Sequence, residues 1–218
     1  MKKCLILANG EVPKKSEILF LQKHGYETLI CADGGANSAH KLHLIPDYIV
    51  GDLDSIKKET LNHYKKKSEI IKYTRQNDTD VEKAIKLAIK LKYDEVILLG
   101  ATGDRLDHTF CNLGITLKFN PKIDVSILHK KSFLKVYSGK VCLNTNPGEI
   151  ISIYGFDDKT TISALGLKYP LKDSKLPFGE KESTSNLAMG SSIELDIKKG
   201  RVFVIREFNE MRKNGFFG

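Results

Sequence analysis

Up to about residue 130, short apolar runs alternate with stretches of helical period. The runs are Cys4 to Ala8, Thr28 to Cys31, Tyr48 to Val50, Ile70 to Tyr73, Val96 to Leu99 and Val125 to Leu128. Val81, Ala84, Ile85, Ala88 and Ile89 recur at the spacing of one helix face, and Asp78 or Thr79 is placed to cap that helix. Further helices are predicted at Lys15 to Lys23, Ser55 to Lys65 and His108 to Lys118. Strand and helix in alternation predict an α/β domain over residues 1–130 with a mainly parallel sheet.

From Lys131 the helical period disappears, and β-type runs bounded by Gly, Asn, Asp and Pro take over. They include Leu134 to Tyr137, Ile150 to Tyr154, Thr160 to Ala164, Ile193 to Ile197 and Val202 to Ile205. Ile193-Glu194-Leu195-Asp196-Ile197 alternates strictly, as a half-buried antiparallel strand does, and Lys199-Gly200 reads as the turn into its partner. Residues 131–218 are therefore expected to close as an all-β sandwich or barrel-like domain, with a mobile loop from Lys172 to Thr184.

Composition narrows the class. Apolar residues at 41% and charged residues at 28% suit a soluble folded protein and exclude wholesale disorder. The four cysteines, Cys4, Cys31, Cys111 and Cys142, form no CxxC pair, so buried reduced thiols are expected rather than a zinc site. The apolar run Cys4 to Ala8 is too short for a signal peptide, and no stretch reaches the roughly 18 apolar residues of a membrane span. A cytoplasmic location and no membrane partner are the expectations. A net charge of +8 could serve a nucleic acid, but the lysines are scattered without interleaved aromatics, so no nucleic-acid partner is expected.

The acidic residues carry the chemistry. Asp33, the pair Asp52 and Asp54, the pair Asp78 and Asp80, and the pair Asp104 and Asp107 each follow a predicted parallel strand. Strand C-termini share one edge of such a sheet, so these clusters should converge where open α/β folds bind ligands. Converging carboxylates stay ionised only with a cation among them. In Asp52-Leu53-Asp54, positions i and i+2 of an extended segment project to one side, so both carboxylates can face one ion. Hard oxygen donors without His or Cys suit Mg²⁺, which commonly meets a protein through carboxylates and substrate phosphates.

Gly34-Gly35, Gly100 and Gly103 also follow predicted strands, where backbone N–H groups can approach phosphate oxygens. Neither GxxxxGK[ST] nor GxGxxG occurs, which disfavours a P-loop and the usual dinucleotide site. Arg105 is the candidate for a bidentate phosphate clamp.

Five segments in order resemble the thiamine pyrophosphokinase family across essentially the whole chain. They are Ala32-Asp33-Gly34-Gly35-Ala36-Asn37, Gly51-Asp52-Leu53-Asp54-Ser55, Gln76-Asn77-Asp78-Thr79-Asp80, Gly103-Asp104-Arg105-Leu106-Asp107-His108 and Thr184-Ser185-Asn186. The resemblance implies an N-terminal α/β catalytic domain, a C-terminal thiamine-binding β-sandwich and a homodimer with shared active sites. The implied reaction moves the β,γ-diphosphate of ATP to the hydroxyethyl oxygen of thiamine and releases AMP. Carried over by motif, Asp52, Asp54 and Asp80 hold Mg²⁺. Asp33, Gly34, Gly35, Asn37, Gln76, Thr79 and Gly103 lie at the nucleotide and its metal, Arg105 on the phosphates, and Asp107 in the acidic cluster. Ser185 and Asn186 lie by the thiamine.

The chain departs from the family's pattern at Leu187, where Glu often stands, at Asn77, where some members have Asp, and in having no Trp. Any ring stacked on thiamine is thus a Tyr or Phe. Asp80, Asp107 and solvent are alternative acceptors of the alcohol proton, and His108, at a helix start, reads as structural. A pterin pyrophosphokinase and a basic nucleic-acid-binding protein are the rival functions.

Overall fold

The computed structural model describes residues 1–73, 77–103 and 105–217. The chain separates into two compact units, Met1–Lys130 and Lys131–Gly218.

The first unit is built on strands β1 (Lys3–Leu7), β2 (Thr28–Ala32), β3 (Tyr48–Gly51), β4 (Glu69–Lys72), β5 (Glu95–Leu99) and β6 (Asp124–His129). They lie in the order β6-β5-β1-β2-β3-β4, with β1–β2, β1–β5, β2–β3, β3–β4 and β5–β6 all parallel. The order reverses at β1: the chain walks outward through β2, β3 and β4, then returns to its other side as β5. Such a reversal opens a crevice beyond the strand C-termini. β5 is buried at every position and β1 at four of five, as expected where helices cover both faces. Edge strand β4 carries Glu69 and Lys72 at its exposed ends, which discourages pairing with a further chain.

The helices are α1 (Lys15–Lys23), α2 (Gly35–Lys41), α3 (Lys58–Tyr64), α4 (Asp80–Lys90) and α5 (Leu106–Phe119). α4 packs on β1, β2 and β3 and touches α5, while α2 packs on β1 and β2 and touches α3. Thr79, one of the two predicted caps, closes α4 with a reciprocal box. Its side chain accepts from the Glu82 N–H at 3.2 Å, and the Glu82 carboxylate accepts from the Thr79 N–H at 3.0 Å. The short helix α2 escaped the pattern reading because its sequence, Gly35-Ala36-Asn37-Ser38, carries no amphipathic stripe.

The second unit is antiparallel. Its elements are β7 (Ser132–Asn144), β8 (Ile150–Tyr154), β9 (Thr161–Leu165), β10 (Leu171–Lys175), β11 (Ser183–Leu187), β12 (Ser192–Glu207) and α6 (Phe208–Lys213). β12 pairs with β7 along both halves, and its other edge takes β9 first and β8 second. β10 extends the β9 branch and β11 the β8 branch. Ile151 and Ile153 of β8, Ile162 of β9 and Leu195 and Val204 of β12 bury into one core.

Three expectations are corrected here. Lys199-Gly200 is not a hairpin turn, because residues 192 to 207 form one strand whose two halves pair with the same neighbour across a register shift between Ile197 and Val202. Lys199 takes up that irregularity with φ at 56°. The predicted loop from Lys172 contains most of β10, followed by the buried Leu176. All four cysteines are free, but Cys111 and Cys142 are exposed, and only Cys4 and Cys31 are buried. Among the described residues no helix is long and apolar enough to cross a membrane.

Candidate active site

The site grows from the ends of β2 and β3. β2 delivers Asp33 in a left-handed backbone conformation, φ 40°, which Asp tolerates better than most residues. Its N–H donates to the Val50 carbonyl at 2.8 Å, and its Oδ2 accepts from the Ser55 N–H at 3.0 Å. Its Oδ1 is buried without a hydrogen-bond partner, in a residue only 2% exposed. Gly51 ends β3 directly against this side chain. A Cβ there would sit 2.7 Å from the Asp33 Cβ and 3.2 Å from Asp80 Oδ1, so only glycine admits the approach. Asp80 enters from the first turn of α4, where the helix N-terminus favours a carboxylate.

Asp33, Asp52 and Asp80 consequently bring one carboxylate oxygen each within 4.8 Å of one another. Burial pushes the Asp33 carboxyl above its ordinary range, against the lowering influence of the Ser55 N–H, and the Asp80 and Asp52 charges push it further up. An oxygen-only donor set with an unsatisfied buried carboxylate oxygen fits a hard divalent cation.

Asp54 stands outside this group. The argument from i and i+2 requires an extended segment, and Leu53 between the two aspartates is left-handed with φ at 68°. Asp54 is exposed and accepts from the Ser55 hydroxyl at 2.9 Å. Asp33 takes the third place instead.

A cavity of about 550 Å³ opens beside the cluster, lined by Asn9, Asp33, Gly34, Asp80, Gly103 and Arg105 among others. Its lining comes from the loops after β1, β2, β3 and β5 and from the first turns of α4 and α5. Arg105 and Asp107 pair through two hydrogen bonds of 3.2 and 2.6 Å, with both side chains about two-thirds exposed (63% and 65%). That hydrogen bonding holds the Asp107 carboxyl below the usual range. Asp107 therefore lines the cavity beside arginine and is separate from the three-carboxylate group.

Asn37 braces the site's frame: its Nδ2 donates to the Ser55 carbonyl at 2.9 Å and its Oδ1 accepts from the Lys57 N–H at 2.9 Å. Gly35 lets α2 start against β1, since a Cβ would fall 2.0 Å from the Leu7 carbonyl oxygen. Thr79 lines the cavity and caps α4. Gln76 and Asp104 lie outside the described residues.

In the second unit, Ser185 is left-handed, φ 54°, and its N–H donates to the Ser152 hydroxyl at 3.0 Å. Asn186 is 2% exposed, and its amide holds the Tyr169 backbone, accepting from the N–H at 3.0 Å and donating to the carbonyl at 2.7 Å. The Tyr169 ring is thereby presented to solvent, 63% exposed.

Two residues escaped the sequence reading. Lys83 reaches Asp80 Oδ1 at 2.8 Å, and the i, i+3 spacing from Asp80 was the available signal. Tyr169 had no local signal, because its exposure depends on Asn186, seventeen residues away in sequence.

Comparison with known proteins agrees with this arrangement in both units. The model of the thiamin pyrophosphokinase catalytic domain matches residues 22–127, and that of the thiamin pyrophosphokinase vitamin B1 binding domain matches residues 140–202. The chain is 27% identical over 199 residues to thiamin pyrophosphokinase 1 of Caenorhabditis elegans, covering 84% of this chain and 81% of that protein. It is 25% identical over 183 residues to thiamine pyrophosphokinase of Bacillus subtilis, covering 81% and 86% respectively. Among solved structures, the Bacillus subtilis enzyme superposes with a TM-score of 0.80 at 22% identity, covering 94% of this chain and 99% of that one. Thiamin pyrophosphokinase from Candida albicans gives a TM-score of 0.83 at 22% identity, covering 94% and 88%. With an acidic cluster and a cavity at the strand ends of the catalytic unit, and both family models matched in order, the chain belongs to the thiamin pyrophosphokinase family.

Proposed function

We propose that this chain catalyses ATP-dependent pyrophosphorylation of thiamine, moving the β,γ-diphosphoryl group of ATP to the hydroxyethyl oxygen and releasing AMP. The observation that carries the reading is the Asp33, Asp52 and Asp80 group beside a cavity that also holds Arg105, in a chain whose two units match the two domains of one family.

On this reading residues 1–130 bind ATP and metal, and residues 131–218, taken as the β-sandwich of the family, bind thiamine. Asp33, Asp52 and Asp80 would hold Mg²⁺, with exposed Asp54 outside the group. Bound there, Mg²⁺ would neutralise phosphate charge as it develops toward the leaving AMP. Arg105, turned from Asp107 toward substrate, offers a planar fork to two phosphate oxygens. Asp107, released from Arg105, is then free to accept the alcohol proton, with Asp80 as the alternative acceptor. Gly34 and Gly103 leave backbone room along the cavity wall. Tyr169, displayed by Asn186, supplies the aromatic face for thiamine, with Ser185 next to Asn186 on β11.

The reading includes a cytoplasmic homodimer in which the α/β unit of one subunit works with the β unit of the other. Mixing Asp52→Asn and Ser185→Ala subunits should then restore activity, whereas no recovery despite subunit exchange argues for sites complete within one chain. The decisive measurement for the reaction is mass spectrometry of products from ATP, Mg²⁺ and thiamine. AMP with thiamine diphosphate is expected, and ADP with thiamine monophosphate would refute the assignment.

A further inference from the structure

Among the described residues, ion pairs formed by Lys83, Lys86 and Lys118 decorate α4, and one differs from the others. Lys86 pairs with Asp78 and Lys118 with Glu82, the lysine side chains being 49% and 59% exposed. The Lys83 side chain is only 6% exposed and points its ammonium at Asp80 Oδ1, 2.8 Å away. Submerging an ammonium costs hydration that only close opposite charge returns. The charge facing Lys83 comes from Asp80, Asp52 and Asp33, the three members of the acidic group.

We propose that Lys83 is a positioning residue for that group, a fixed internal cation that holds the three carboxylates together before metal arrives and sets how tightly a bare divalent ion binds. Three carboxylates and one ammonium leave two negative charges, which a single divalent ion neutralises. Without the ammonium the group would draw in any cation more strongly and would tolerate its own repulsion less. With it, the affinity for free ion is kept low, and the ion is best taken up together with a triphosphate that shares its coordination. Lys83 also occupies Asp80 Oδ1, which constrains the carboxylate's orientation on α4.

This inference rests on the divalent-cation site of the proposed function, and the test separates the two. Mn²⁺ binding without nucleotide, followed by electron paramagnetic resonance, should tighten at least about tenfold in Lys83→Met, because a unit charge a few ångströms from the ion is removed. Thermal unfolding of that variant should fall sharply in EDTA and recover in saturating Mg²⁺. Lys83→Arg should keep both properties near wild type. Adding Asp80→Asn to Lys83→Met should regain stability in EDTA, since it removes the charge left unmatched. A merely structural lysine would lower Tm equally in both media and leave the Mn²⁺ affinity unchanged, which overturns the proposal. If Lys83→Met does not fold in EDTA, folding of the double variant supports the proposal and its failure to fold overturns it. Wild-type protein that binds no Mn²⁺ would remove the metal site itself, whereas wild-type binding with an unaltered Kd in Lys83→Met removes only the role of Lys83.

Discussion

Asn186 grips Tyr169 by both backbone groups, accepting its N–H at 3.0 Å and donating to its carbonyl at 2.7 Å. The same Nδ2 also lies 3.2 Å from the Ser183 hydroxyl, so the amide is saturated and turned inward. A residue so engaged holds Tyr169 in place, which on the proposed function is the thiamine side of the site. Asn186→Ala should cost about 1 kcal/mol through the part-buried Tyr169 backbone groups that lose their partner. It should raise the KM for thiamine while leaving that for ATP near wild type, as urea unfolding and steady-state kinetics would test. Tyr169→Phe should retain thiamine affinity, and Tyr169→Ala should lose it.

Removing a carboxylate from the acidic group should separate stability from activity. Asp52→Asn relieves repulsion among three clustered carboxylates and removes one candidate ligand. We expect kcat to fall by at least about a hundredfold with an unchanged circular dichroism spectrum. Asp54→Asn, outside the group, should have the smaller effect, and activity at varied Mg²⁺ concentration reads the difference.

Asp33 gives the metal-free protein a pH dependence of definite sign. Its carboxyl is raised in the folded chain, chiefly by burial, so the native state binds its proton more tightly than the unfolded state does. The stability this contributes is fully present below the unfolded value of about 4 and is lost as pH rises through the raised native value. In EDTA, thermal unfolding of wild type should show that decline, and Asp33→Asn should abolish it.

Arg105→Lys should not be conservative. Arg105 spans both oxygens of Asp107 through two hydrogen bonds, the bidentate geometry that a phosphate also accepts. Lysine keeps the charge and loses the fork. A fall in kcat/KM for ATP of about tenfold or more is expected, and a near-wild-type value would place Arg105 outside the phosphate path.

The second unit contains a buried pair whose two halves should be inseparable. Arg206 meets Glu149 at 2.7 and 3.0 Å, with side chains 1% and 0% exposed. Glu149→Ala strands a buried guanidinium and should destabilise by about 3–5 kcal/mol. Replacing both together by Glu149→Leu and Arg206→Met should cost far less than the two single changes added, as a double-mutant cycle by chemical unfolding would show.

Hydrophobic periodicity by itself determined the alternation of strand and helix in the first unit, the change to β structure near residue 130, and the placing of Asp33, Asp52 and Asp80 at strand and helix ends. Those features are local, because a period of two or 3.6 residues is written into each segment by what it must bury. The ordered motifs were likewise legible, and they point to the family on their own. The membership of the acidic group was decided only by tertiary structure. Leu53 turns left-handed and carries Asp54 away, while Gly51 admits Asp33 from a neighbouring strand. Lys83 becomes part of the site only because α4 lies down on β1, β2 and β3. Residues 192 to 207 read as two strands because Lys199-Gly200 has turn chemistry, yet continuous pairing with β7 overrides that local preference and leaves only a register shift. The brace that Asn186 gives Tyr169 is not legible in the sequence, since its hydrogen-bond partners lie on a loop that sequence spacing does not bring near. Side-chain period reports which face of an element is buried, but the partners met on that face depend on register and backbone conformation, which only the folded chain sets.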